Sequence, residues 1–135
     1  DDPAAHGLEP ALTLRSYVAE IKPIVAGQSV GYGRRFVAEH DGWIATLPLG
    51  YADGVRRALS NNAEVLIGGV RRPLVGTVSM DNITVALSEP VERGAEAVLI
   101  GAQGEERILA EEVATRLQTI NYEVTCGISA RVPRT

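Results

Sequence analysis

The chain has 135 residues, the size of one ordinary domain, and is 45% hydrophobic and 22% charged, a globular rather than a disordered composition. Seventeen acidic against thirteen basic residues give a formal net charge of −4, which argues against nucleic acid or an anionic membrane as partner, since both require a basic surface. The single cysteine, Cys126, excludes an intrachain disulfide and a cysteine-rich zinc site. No run approaches the roughly 18 apolar residues of a membrane span and no signal peptide is recognisable, so the cytoplasm is the expected compartment. Only one lysine, Lys22, is present among the bases. Any chemistry that needs a lysine must use Lys22 or a lysine from elsewhere.

Residues 1–10 carry two prolines and little apolar content, and read as a linker or tail. A β pattern starts at Ala11. Leu12 and Leu14 share one face, whereas Tyr17, Ala19 and Ile21 share a face of opposite parity, which predicts a bulge near Arg15-Ser16. Glu20 and Lys22 fall on the solvated side, and Pro23 is expected to weaken or end the pairing. Further strands are predicted over Ser29–Tyr32, Trp43–Leu49, Glu64–Ile67, Val70–Val78, Ile83–Leu87 and Ala97–Ile100. Gly68-Gly69, between AEVLI and VRRPLV, is a two-residue hairpin signal because both positions tolerate positive φ. One helix is predicted over Ile108–Leu117, where Leu109, Val113 and Leu117 recur at helical spacing and Glu112 and Arg116 form an i,i+4 pair. The expected fold is mostly β: a small barrel-like domain of short strands with one short helix.

Few chemical constellations are present. No phosphate-binding Gly-x-x-x-x-Gly-Lys loop exists, and GAQGEE (Gly101–Glu106) reads as a plain turn between a strand and the helix. His6 and His40 have no ligand spacing, so no metal site is expected. Ser79 is not in a nucleophile elbow. Asp53 and Asp81 are compatible with paired acids, but beside glycine or in turns such residues are more often turn formers. Two tyrosines are harder to dismiss. Tyr32 lies between glycines in VGYGRR, and Tyr51 lies in PLGYADGVRR. Small neighbours leave a phenol approachable, and nearby cations lower its pKa from about 10, as a general acid or base requires. The alternative is a pair of core or rim tyrosines with satisfied hydroxyls.

Four blocks of the chain, in order and at matching spacing, resemble the C-terminal domain of bacterial alanine racemases. They are VGYGRRF (Val30–Phe36), TLPLGYADGVRRALSN (Thr46–Asn61), VGTVSMDN (Val75–Asn82) and TINYEVTCGISARVPR (Thr119–Arg134). The resemblance implies that residues 11–135 form that β domain. It also implies a missing N-terminal (β/α)8 barrel that holds pyridoxal phosphate, and a head-to-tail homodimer. The implied reaction interconverts L- and D-alanine for cell-wall peptidoglycan. By the same resemblance, Tyr32 is a catalytic base acting at the partner subunit's cofactor, and the Met80 backbone N–H helps hold the substrate carboxylate, with Asp81 the acid beside it. Tyr51, Ile120 and Arg57 line the substrate passage, and Tyr122 lies near the cofactor phosphate of its own subunit.

One departure is Thr77, which stands where many relatives carry arginine. The cofactor lysine is expected in the barrel and not at Lys22, so the isolated chain is expected to be inactive. Two other readings are a racemase of serine, lysine or several amino acids, and a stand-alone β-barrel binding or oligomerisation module.

Overall fold

The computed structural model describes residues 7–30, 33 and 35–135. Tyr32 lies outside the described residues. The described residues form ten strands: β1 (Leu14–Tyr17), β2 (Glu20–Ile24), β3 (Ser29–Val30), β4 (Phe36–Val37), β5 (Gly42–Leu47), β6 (Glu64–Ile67), β7 (Val70–Val75), β8 (Ile83–Leu87), β9 (Glu96–Gln103) and β10 (Glu106–Ile108). Two helices follow, α1 (Ala110–Leu117) and α2 (Asn121–Cys126). The main sheet is antiparallel in the order β1-β9-β6-β7-β8-β5-β2, with β10 paired to β9 and β3-β4 a separate hairpin.

The ends of that order are consecutive in sequence, which closes the sheet. Only Val18 and Ala19 separate β1 from β2, and the three Cα steps from Tyr17 to Glu20 span roughly 11 Å at most. The Val18 N–H donates to the Ala95 carbonyl, and the Ala19 N–H donates to the Thr46 carbonyl. The chain thus passes from pairing with β9 to pairing with β5 within one bend, and the sheet becomes barrel-like, as the strand pattern predicted.

Several local expectations are adjusted by this closure. The register shift in β1 falls between Leu14 and Arg15. Tyr17 is exposed, and the buried residue is Val18, because it sits at the inner side of the bend. Pro23 does not end its strand: it stands opposite Trp43 and pairing continues to Ile24. β2 has a ladder partner on one side only, so the missing N–H costs no hydrogen bond.

Leu47, Val65, Ile67, Leu74, Ile83, Val85, Ala97 and Leu99 fill the main core. The opposite faces are also covered in places. Ile44 and Val75 pack with Ile24, Val30 and Ala38, and Leu66 and Val98 pack with Ile108. This two-sided cover explains why EVLI of β6 reads as an apolar run rather than an alternation.

The Gly68-Gly69 hairpin forms as predicted, with φ of 66° and 74° and Ile67 opposite Val70. β7 stops at Val75, because Gly76 turns away at φ 79°. The GAQGEE segment is a turn, but of a hairpin: β9 runs through Gln103 and returns as β10 before the helix begins. The predicted helix is found from Ala110, with Leu109 as its N-cap residue, and Val113, Ala114 and Leu117 face the core. Its Glu112 accepts two hydrogen bonds from Arg71 of β7 (2.7 and 2.8 Å), which tie the helix to the sheet.

Candidate functional site

Three sequence-distant segments meet at one rim of the barrel. The first is a 3-10 turn at Tyr51–Asp53, and the second is the Ser79–Asn82 turn that follows β7. The Tyr51 N–H donates to the Ser79 carbonyl (2.9 Å) and the Ala52 N–H to the Met80 carbonyl (3.1 Å). Gly50 makes this approach possible. A Cβ there would collide with the Ser79 carbonyl and lie 2.6 Å from the Met80 carbonyl oxygen. Ser79 closes its own turn, its hydroxyl bonding to Asn82 O and accepting from Asn82 N–H.

The third segment runs from α2 into the C-terminal residues. Gly54, at φ 112°, lies so close that a Cβ would stand 2.5 Å from the Gly127 carbonyl oxygen. The Ser129 N–H donates to the Asp53 carbonyl (3.0 Å), and Val124 and Ile128 anchor the segment in the main core. Asp53 is a turn former, as short polar residues near glycine often are: its Oδ2 accepts the Gly50 N–H at 2.9 Å. Its Oδ1 pairs with Arg131 Nε at 3.0 Å, while Arg131 Nη2 reaches Asp81 Oδ1 at 2.8 Å. The two acids are therefore joined through one guanidinium, and they hold Arg131 above the ordinary arginine value, the Asp81 hydrogen bond contributing most.

On this frame the sequence-predicted residues face outward. Tyr51 is 44% exposed, Met80 51%, Ile120 61% and Tyr122 71%. Neither the Tyr51 nor the Tyr122 hydroxyl, nor the Met80 N–H, has a hydrogen-bond partner among the described residues. Arg57 lies in the next 3-10 turn, exposed. That turn is tied to the same rim through Ser60, whose hydroxyl donates to the Arg57 carbonyl and accepts the Val78 N–H. Asn61, a residue not singled out from the sequence, bonds both the Gly76 N–H (2.7 Å) and the Arg35 carbonyl (2.9 Å). Asn61 adopts φ 53°, a conformation asparagine tolerates better than most residues, and that was its only sequence signal. Asn61 thereby links Arg35 to Gly76, whose Cβ position is 3.1 Å from the Val30 carbonyl oxygen. No cluster of three or more metal-ligating side chains occurs among the described residues.

Described residues of the four family-like blocks thus touch in sequence: Val30 and Arg35 lie against Gly76 and Asn61, Tyr51 bonds Ser79, and Arg131 joins Asp53 to Asp81. Residues 11–135 match the family described as alanine racemase, C-terminal domain. The chain belongs to that family. The alanine racemase of Symbiobacterium thermophilum is 51% identical over 129 residues, covering 94% of this chain and 34% of the relative. Alanine racemase 1 of Bacillus subtilis is 47% identical over 127 residues, covering 94% and 32%. Among solved structures, alanine racemase from Bacillus anthracis with bound L-Ala-P superposes with a TM-score of 0.91 at 46% identity, covering 94% of this chain and 33% of that one. The Streptomyces coelicolor A3(2) enzyme gives 0.94 at 38% identity, covering 98% and 35%. The chain spans about a third of the length of these relatives.

Proposed function

We propose that this chain is the C-terminal part of a pyridoxal-phosphate-dependent isomerase that interconverts L- and D-alanine in the cytoplasm for cell-wall synthesis. It contributes one wall of an active site whose other wall belongs to a partner subunit. The observation that carries this reading is the exposure of the rim. Single apolar residues such as Tyr17, Val25 and Val70 are exposed elsewhere, but Tyr51, Met80, Ile120 and Tyr122 are left uncovered on segments that meet through specific bonds. An apolar rim with unpaired polar groups fits a surface completed by a partner and a substrate.

The chemistry is derived from what each residue can do. Racemisation removes a proton from one side of the α-carbon and delivers one to the other, so it needs bases on opposite sides. Tyr32 supplies one of them, taking the proton from L-alanine. The Met80 N–H donates to the substrate carboxylate. The Tyr122 hydroxyl donates to the cofactor phosphate, and Tyr51, Ile120 and Arg57 bound a passage admitting only a small side chain. The donor set fits a wall of a pyridoxal phosphate site and not its floor. The outward phenols and free amide can contact the group, whereas Lys22 stands on β2 in none of the converging segments. The lysine that anchors the cofactor and serves as the opposite base is therefore assigned to an N-terminal (β/α)8 barrel of the full-length enzyme. When bound, pyridoxal phosphate supplies the conjugated system that accepts negative charge from the α-carbon.

A chimera tests this: the N-terminal two thirds of the Bacillus anthracis alanine racemase joined to this chain. It should racemise L-alanine, and serine and lysine much more slowly. A folded, cofactor-loaded chimera that prefers serine or lysine would move the substrate assignment. One that racemises nothing would favour a binding or oligomerisation module.

A further inference from the structure

A groove of about 390 Å³ opens where the chain enters β1. Pro10, Ala11 and Leu12 line it, together with Ile108, Leu109 and Ala110 from the end of β10 and the start of α1. Gly101 and Ala102 of β9 complete it. Thr13 fixes the entry segment to the sheet: its side chain lies against Gly101, where a Cβ would stand 2.9 Å from Thr13 Cγ2. Ahead of Thr13 the segment is uncovered. Residues 7–13 are all exposed, and Leu8–Leu12 makes no backbone hydrogen bond among the described residues. Two leucines nevertheless stand on it, Leu8 at 64% exposure and Leu12 at 36%. A single exposed leucine is ordinary, but two within five residues, on a segment without backbone partners and beside a mostly apolar groove, make a surface for another body to cover. The groove also borders the α2 half of the candidate site. Glu111, one of its lining residues, accepts a hydrogen bond from Asn121 Nδ2 (3.0 Å), and Asn121 stands between the exposed Ile120 and Tyr122.

We propose that this groove is the seat of the N-terminal part of the same chain, which covers Leu8 and Leu12 and packs on Ala102, Leu109 and Ala110. The inference rests on the reading of these residues as the C-terminal part of a longer enzyme. Chain connectivity selects the occupant. The 129 matched residues are 34% of the Symbiobacterium thermophilum enzyme, which leaves about 250 residues outside the match, a body of about 18 Å radius of gyration and more than about 40 Å across. The matched family is a C-terminal domain, so that body precedes the segment that walls the groove. From Asp1 to Leu12 the chain reaches no more than about 40 Å even at full extension, less than the body is wide. The N-terminal part of the same chain is therefore tethered to this face, whereas no tether holds a partner subunit there.

In the chimera, a photoreactive p-benzoylphenylalanine placed at Ala102, an exposed groove residue, reads the occupant directly. Irradiation should join position 102 to a peptide of the N-terminal part within one chain, so the product still migrates as a single chain on a denaturing gel. A product of two chains would give the groove to the partner subunit, and the absence of any crosslink would make it open surface; either overturns the proposal. The same probe at Leu8, which is 64% exposed, repeats the test from the entry segment if the first variant does not fold. A second measurement needs no probe. A substitution on open surface has little effect on stability, so Ala102→Glu should lower the unfolding temperature of the chimera by about 3 °C or more only if the groove is covered. An unchanged unfolding temperature would count against the seat. The outcomes also separate this inference from the activity. A chimera that racemises alanine without an intrachain crosslink sinks the seat alone, and one that crosslinks within the chain but racemises nothing sinks the activity and leaves the seat.

Discussion

The barrel interior and the rim use apolar residues in opposite ways. Leu47, Leu66, Ile67 and Val85 are wholly buried and hold their places by packing, with no polar group to direct them. Tyr51, Met80, Ile120 and Tyr122 are largely exposed; directed bonds from Asp53, Ser60, Ser79 and Arg131 hold the segments of the first two, and Asn121 bonding to Glu111 holds that of the others. Packing tolerates compensation among neighbours, whereas a directed bond specifies one geometry. Changes in the interior should therefore lower stability in proportion to the volume lost. Changes on the rim should leave stability nearly intact and alter what the surface can bind.

The strongest challenge to this division is to ask the isolated chain for the whole reaction. Mixed with pyridoxal phosphate, it should show no absorption band of a lysine-bound cofactor and no conversion of alanine. A band that vanishes in Lys22→Ala would show that the domain carries its own anchor. Next in size is Tyr32→Phe in the chimera, which removes one hydroxyl. Loss of a general base typically costs about 10²–10⁴-fold in rate. The deficit should differ between L- and D-alanine when primary isotope effects are measured from each side. Turnover from L-alanine within a few-fold of the parent would make Tyr32 a structural phenol and direct attention to Tyr51.

A paired stability comparison comes third. Leu66→Ala, at a fully buried site, should cost about 2–5 kcal/mol in urea unfolding. Met80→Ala, on the rim, should change stability by no more than about 0.5 kcal/mol. Equal losses would mean that the rim is packed as tightly as the core.

How far each region was legible follows from the same contrast. The strands Glu64–Ile67 and Ile83–Leu87 and the Gly68-Gly69 turn are local signals and appear where the pattern put them. The second helix was not foreseen, because NYEVTC offers one buried residue, Val124, and no apolar periodicity. β10 is three residues long, too short for a pattern to register. Pro23 misled because its effect depends on which side of the strand has a neighbour, a property of the closed sheet alone. The rim residues were legible only through likeness to a family; residue chemistry reached no further than Tyr32 and Tyr51. Arg131 escaped altogether. Its partner Asp81 is 50 positions away, and nothing in ARVPR distinguishes it from an ordinary surface arginine.

The smallest expected effect concerns the ion network that fastens α1 to the sheet, where directed bonds serve stability instead of a site. Arg71 reaches Glu112 through two hydrogen bonds, and also Glu106 at 3.0 Å and Glu64 at 3.3 Å; Arg116 lies 3.8 Å from Glu112. The Arg71 hydrogen bonds hold the Glu112 carboxyl below its ordinary value of 4.5, with the charges of Arg71 and Arg116 adding to them and burial opposing. A carboxyl whose pKa is lower folded than unfolded binds protons more readily when unfolded. Its contribution is complete above the unfolded value and is lost as pH falls through the folded one. The pair is partly solvated, so the contribution is at most about 1 kcal/mol. Unfolding free energies of the chain and of Glu112→Gln should therefore differ by a constant amount above about pH 5.5, and the gap should narrow steadily below about pH 4.5. A gap independent of pH down to about pH 3 would mean that Glu112 stabilises the helix by shape and neutral hydrogen bonding rather than by charge.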